Sequence, residues 1–309
     1  MSHPIGSQGG GMTSPHQRFG LSCALSTPFA HSGAIDYGLL IGHAGACLAE
    51  GCDSVTLFGT TGEGASLSGA ERQATIDAFI AAGFNARTQL IGCVAASALD
   101  DAVMQCRMLY NADCRAVLLA PPFYFKGVSD DGVFAWFSQL FQRLAPAARD
   151  IILYHIPGVT GVALSVSLIG RLRAAFPQLI IGVKDSSGDW PYTQDLLKTH
   201  ADLAILVGDE RHLAHGVRLG GQGAISGMAN VIAPLLREMT QSGREDGRVL
   251  DLVGDVLKHP VVPVIKLLIA AKRGDPVWEH VRPPLVPVKA ADAVALVDRV
   301  LQLSRGSGP

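Results

Sequence analysis

Ile180-Ile181-Gly182-Val183-Lys184-Asp185-Ser186-Ser187-Gly188-Asp189 begins as an apolar, β-branched run and ends in a small polar turn. The run has the pattern of a strand buried on both faces. Asp189 stands where it can cap a following helix. The unit is strand, turn, helix, and its recurrence along the chain decides the fold. The first charge after the run is Lys184. A lysine at the end of a buried strand leaves water, and desolvation disfavours the ammonium. A neutral amine is a nucleophile that forms a Schiff base with a carbonyl compound. The plainer alternative is a strand-end lysine that snorkels to solvent or pairs with Asp185. This stretch alone leaves both open.

The unit recurs on both sides. Short apolar runs stand at 21–27, 54–58, 89–94, 116–120, 151–155, 179–184, 204–207 and 223–226. Helix-like stretches lie near 36–50, 68–83, 98–110, 129–145, 165–175, 189–200, 209–219 and 228–241, with Asp36, Ser68, Ser129 and Ser165 at N-cap positions. Alternating β and α units imply a parallel sheet with crossover helices, and eight of them is the number that closes a TIM (β/α)8 barrel. An open doubly wound sheet is the rival, but no GxGxxG follows the first run and no phosphate-binding GxxxxGK[S/T] is present. Further helical stretches near 246–258, 261–273 and 290–304 predict a C-terminal helical extension. The expected division is a disordered leader over 1–17, a barrel over 18–241 and a C-terminal helical domain over 242–309.

Composition narrows the function. A net charge of −2 and the lack of any basic block give nucleic-acid binding no electrostatic support. The apolar run from Val261 to Ala271 is broken by Lys266 and is too short to span a bilayer. Cys23, Cys47, Cys52, Cys93, Cys106 and Cys114 form no CxxC pair and read as small core residues of a reducing cytoplasm. With hydrophobic residues at 48%, a large core is expected.

In such a barrel the chemistry belongs at the C-terminal ends of the strands. Gly59-Thr60-Thr61-Gly62-Glu63-Gly64 follows the second run, Pro121-Pro122-Phe123-Tyr124 the fourth, and Asp209-Glu210 the seventh. Tyr154 ends the fifth run, Lys184 the sixth, and Ile225-Ser226 the eighth. The glycine-rich turn offers backbone N–H groups and two hydroxyls as a cradle for a carboxylate, or else is an ordinary tight turn. Tyr154 is a candidate proton carrier beside Lys184, or else a packing aromatic. Asp209 with His212 and His215 has the density of a metal site, yet carboxylates at a helix start are more often caps, and no metal is expected.

The GTTGEG turn, the Tyr154–Gly161 segment YHIPGVTG, the GVKDSSGD segment and Arg282-Pro283-Pro284-Leu285 resemble, in order and spacing, the dihydrodipicolinate synthase / N-acetylneuraminate lyase family over residues 19–305. The resemblance implies a TIM barrel with C-terminal helices, usually a homotetramer built as a dimer of dimers. It implies class I aldolase chemistry on pyruvate or a 2-keto-3-deoxy acid with an aldehyde partner, and no metal or organic cofactor. By position, Lys184 resembles the Schiff-base lysine and Tyr154 the proton-relaying tyrosine. Thr60 and Thr61 resemble the pair that holds the keto-acid carboxylate, Thr60 also sharing in the relay. Tyr124 resembles the relay tyrosine that reaches into a neighbouring subunit. Ile225 and Ser226 match the lip of the pocket on the eighth strand.

The sequence also departs from that pattern. Val159 stands where dihydrodipicolinate synthases carry an arginine for the second substrate's carboxylate, and valine makes no charge-assisted contact. His155 replaces the usual asparagine; Gly64 and Gly69 replace residues tied to lysine inhibition. Asp209 and Glu210 resemble the pair that grips sugar hydroxyls in N-acetylneuraminate lyases. The expectation is therefore an aldolase, lyase or dehydratase acting on a 2-keto-3-deoxy acid with a polyhydroxylated partner. The alternatives are a synthase condensing pyruvate with aspartate semialdehyde, and a catalytically silent keto-acid-binding protein.

Overall fold

The computed structural model describes residues 18–305, so the leader expected over 1–17 lies outside the described residues. Eight parallel strands close into a barrel: β1 (Gly20–Ala24), β2 (Ser54–Leu57), β3 (Leu90–Val94), β4 (Ala116–Leu119), β5 (Ile151–His155), β6 (Ile180–Asp185), β7 (Ala204–Val207) and β8 (Gly223–Ser226). β8 returns to β1, where Gly223 lies opposite Gly20 and Ser226 opposite Cys23. The TIM barrel expected from the repeated unit is the fold found. The strands run apolar on both faces because the inner face fills the barrel and the outer face meets helices.

Those helices are α1 (Tyr37–Ala49), α2 (Gly69–Ala81), α3 (Leu99–Asn111), α4 (Asp130–Leu144), α5 (Val166–Ala175), α6 (Trp190–Thr199), α7 (Glu210–Arg218) and α8 (Ala229–Ser242). Asp36, Ser68, Ser129, Ser165 and Asp189 each accept the backbone N–H three residues on, as their cap positions predict. At Ser68 the cap is reciprocal, with Glu71 reaching back to the Ser68 N–H at 2.9 Å. Two short helical turns, Ala86–Gln89 and Pro157–Thr160, are too brief for a periodic pattern to announce. All six cysteines are buried and free.

After the barrel come α9 (Gly247–Val256), α10 (Val261–Arg273) and α11 (Val294–Arg305). α9 packs on α7, and α10 packs on α8 and α11. The apolar run that Lys266 interrupts is α10, with Val264 to Ala270 buried. No helix of the described residues is long and apolar enough to cross a membrane.

Candidate active site

The parallel register sets Tyr154 of β5 directly beside Lys184 of β6. Side chains at paired positions leave the sheet on the same side, so both project into the cavity at the C-terminal end of the barrel. Both are buried, at 4% and 6% exposure. Lys184 Nζ donates to Tyr154 Oη at 3.4 Å, its one hydrogen-bond partner among the described residues. Tyr154 Oη in turn lies 3.3 Å from Thr60 Oγ1. Lys184 does not pair with Asp185. That carboxylate turns outward, accepting from Thr193 Oγ1 at 2.6 Å and the Ser187 N–H at 3.0 Å. The snorkelling alternative fails too, because the amine is withdrawn from solvent.

The Gly59–Gly64 turn folds back on itself. The amides of Gly62 and Gly64 donate to the Gly59 carbonyl, and that of Glu63 to the Thr60 carbonyl. The Thr60 and Thr61 amides are left without a backbone partner among the described residues, and both threonines line the cavity. Glycine is required where the turn closes, since a Cβ on Gly64 would sit 1.7 Å from the Phe58 carbonyl oxygen. Glu63 adopts left-handed backbone at φ 53, a conformation unfavourable for a residue with a side chain. Its carboxylate is the anchor that holds it there. Lys266 Nζ donates to Glu63 Oε1 at 2.5 Å, and the Arg282 N–H to Oε2 at 2.9 Å. Lys266 also donates to the His280 carbonyl. Burial pushes the Lys266 ammonium below its usual range, and Glu63 works against that shift. Arg282 braces the same region through the carbonyls of Gly33 and Ser66 and through Glu71, holding the Glu71 carboxyl down at about 2.

Asp209 and Glu210 line the cavity, and each carboxylate is held by a neighbour. Asp209 caps α7 and takes both Arg211 Nε at 3.0 Å and Nη2 at 2.7 Å. Burial works to raise the Asp209 carboxyl, and the Arg211 contacts outweigh it, leaving it below its ordinary range. Glu210 is buried and accepts from Ser226 Oγ at 2.5 Å. Its carboxyl is raised by burial, against the Ser226 contact. Ser226 is accordingly not a lip of the pocket. It is 1% exposed, and its hydroxyl also accepts the Ala229 N–H at the start of α8. Ile225 and Val159 do line the cavity.

Tyr124 stands apart. It is 74% exposed, packs edge-on to Phe125, and lines no part of its own chain's cavity. His155 faces the helices instead of the cavity: its Nδ1 accepts the Leu164 N–H at 3.0 Å and its ring stacks on Tyr192. His212 and His215 lie against Trp190, and no group of His, Cys, Asp and Glu among the described residues is arranged to hold a metal ion.

The cavity measures about 340 Å³, at the low end of the range of about 300–1,000 Å³ in which small ligands bind. Part of its wall comes from outside the barrel: Val253, Val256 and Leu257 at the end of α9, and Val261 and Ile265 of α10. The sequence reading missed this wall. Its one signal is a pair of apolar C-terminal helices whose faces need a surface to cover.

A dihydrodipicolinate synthetase family model matches residues 17–302. The chain is similar to the crystal structure of dihydrodipicolinate synthase from Agrobacterium tumefaciens, at 52% identity and a TM-score of 0.90, covering 93% of this chain and 99% of that one. It is 31% identical to an "Uncharacterized DapA-like lyase" of Chloroflexus aurantiacus, over 94% of this chain and 98% of the relative. It is 26% identical to the 4-hydroxy-tetrahydrodipicolinate synthase of Bacillus subtilis, over 92% and 98%.

Proposed function

The chain belongs to the dihydrodipicolinate synthetase family, and from that premise we propose that it is a lyase working on pyruvate or a 2-keto-3-deoxy acid through an imine at Lys184. The observation that carries this reading is the chain of contacts from Lys184 Nζ through Tyr154 Oη to Thr60 Oγ1, buried at one end of a cavity. The Lys184 amine attacks the keto carbon, and water leaves as the iminium forms. The iminium is an electron sink for the adjacent carbon. In condensation that carbon loses a proton, the resulting enamine bonds to the aldehyde carbon, and the aldehyde oxygen takes up a proton. Hydrolysis by water then returns the amine. Cleavage runs the same steps backwards. Tyr154, within reach of both the amine and Thr60, moves the protons. The Thr60 and Thr61 amides hold the carboxylate. The reading requires no metal or organic cofactor.

Tyr124 enters this scheme from a neighbouring copy. Its exposure in the single chain supports a homotetramer, or at least a dimer, in which it reaches the partner's cavity. Residence in the cytoplasm is part of the same reading and is supported by the six free thiols.

The test is reductive trapping. Borohydride added with pyruvate should attach a reduced pyruvyl group to the peptide holding Lys184. A label elsewhere, or none, overturns the mechanism and leaves the silent binding protein in its place. A second reading is synthase activity on aspartate semialdehyde, favoured by the 52% identity to the Agrobacterium enzyme. Against it, Val159 at the cavity has no charge for that substrate's carboxylate.

A further inference from the structure

The cavity has two chemically distinct sides. Thr60, Thr61, Tyr154 and Lys184 suit the carboxylate and carbonyl of a keto acid. The remainder is mostly aliphatic, with Val159 from the turn after β5, Val253, Val256 and Leu257 from the end of α9, and Val261 and Ile265 from α10; Ser186, Ser187, Asp209, Glu210 and Arg211 are the polar residues beside them. Ile265 reaches the barrel itself, its Cδ1 crowding the same point over Gly227 as the Thr61 side chain. Val159, Leu257 and Val261 remain 62%, 47% and 39% exposed, so large apolar side chains stand in water beside the reacting amine. Apolar surface gathered at a concave site marks a place where something apolar is received.

The charged groups on this side are already engaged, and Ser187 Oγ accepts the Asp189 N–H at 3.1 Å. Asp209 and Arg211 hold each other, and Glu210 holds Ser226. Hydroxyls brought against the aliphatic wall would lose water and gain no hydrogen bond, which disfavours them. A second carboxylate would find Arg211 committed to Asp209. We propose that the aldehyde joined to, or released from, the keto acid at Lys184 carries an apolar body, aromatic or branched aliphatic. The corresponding adduct is a 2-keto-4-hydroxy acid whose C4 substituent lies on the α9–α10 wall. Its C3–C4 bond forms from the enamine and the aldehyde carbon, with the proton going to the aldehyde oxygen, and it breaks by the reverse path. The proposal rests on the imine reading above.

The full-length protein is assayed with pyruvate and, in turn, benzaldehyde, 3-methylbutanal, glyceraldehyde, erythrose and aspartate semialdehyde, reading products by mass. The apolar aldehydes are expected to exceed the others in kcat/KM by about tenfold or more, the usual worth of a fitted hydrophobic pocket. Leu257→Asn should bring that ratio towards one, and Leu257→Ala should lower it less. Borohydride trapping with pyruvate alone is run alongside. Absence of the label at Lys184 overturns the imine reading itself. A label at Lys184 with glyceraldehyde, erythrose or the semialdehyde preferred, with no apolar aldehyde turned over, or with the ratio unmoved by Leu257→Asn, overturns the apolar-partner inference alone.

Discussion

Lys184 and Lys266 are the two buried lysines among the described residues, at 6% and 0% exposure, and each Nζ stands over an aromatic ring, 4.5 Å from that of Tyr154 and 4.3 Å from that of Phe29. Their partners separate them. Lys266 meets a carboxylate and a carbonyl, so its protons are committed and the amine is chemically quiet. Lys184 meets only a phenol and borders open space. Burial alone therefore does not separate the two. Burial without a carboxylate, beside a cavity, is what sets apart the lysine proposed as the nucleophile. The two are also joined, since the Lys266–Glu63 pair pins the turn that carries Thr60 towards Tyr154.

The comparison is broken most directly at Lys184. Lys184→Met is expected to lower turnover by about 10⁴-fold or more, the scale of losing a nucleophile. Its far-ultraviolet circular dichroism should match the parent, because no ion pair is lost. Turnover within an order of magnitude of the parent protein would end the distinction between the two lysines. Next is Tyr154→Phe, which keeps the ring over Lys184 and removes the hydroxyl between Nζ and Thr60. Steady-state kinetics should show a fall in kcat of about 10²–10⁴-fold, the usual worth of a positioned acid–base group. An unchanged kcat would reassign Tyr154 to packing.

Lys266→Met sharpens the contrast by acting on stability. It leaves the Glu63 carboxylate buried without its cation, a change that commonly costs about 3–5 kcal/mol. Denaturant unfolding should register that loss, and adding Glu63→Gln should recover part of it. A double variant no more stable than the single one would mean that the pair is not the anchor of the turn. The smallest effect lies beside that pair. Glu71 is held at about 2 by its hydrogen bond to Arg282, below its ordinary value of 4.5. A carboxyl depressed in the folded state adds stability above its unfolded value and loses it as pH falls through the folded one. Its share is thus complete above pH 4.5 and fades towards pH 2. Glu71→Gln should flatten the acid limb of a stability–pH curve in that window and leave the slope above it unchanged.

Strand and helix positions were readable because each unit carries local signals: a β-branched run, a polar turn, a cap. Ile151–His155, Ala204–Val207 and Gly223–Ser226 stand where the apolar runs place them. That Lys184, Tyr154, Thr60 and Thr61 share one cavity was readable for the same reason, since strand ends in a barrel share one rim. What escaped the sequence depends on contacts between distant segments. Lys266 finds Glu63 across 203 residues, and nothing in the α10 run names that partner. Asp209 and Glu210 were read from the resemblance; both do line the cavity, and what the sequence did not show is that Arg211 and Ser226 hold their carboxylates there. Tyr124 shows a further limit, because one chain alone does not supply the cavity into which its ring is proposed to reach.

The cavity is assembled from two sources, the barrel rim and the ends of α9 and α10. Descent can therefore treat them separately. On the reading proposed above, replacements at Val253, Val256, Leu257 or Val261 would alter what is accepted while Lys184, Tyr154, Thr60 and Thr61 are left in place. Change along α10 would be bounded at one position: Ile265 lines the cavity, while Lys266 beside it is tied to Glu63 and so to the turn that carries Thr60. A lineage would thus be expected to change its substrates at the C-terminal helices long before it changes its reaction.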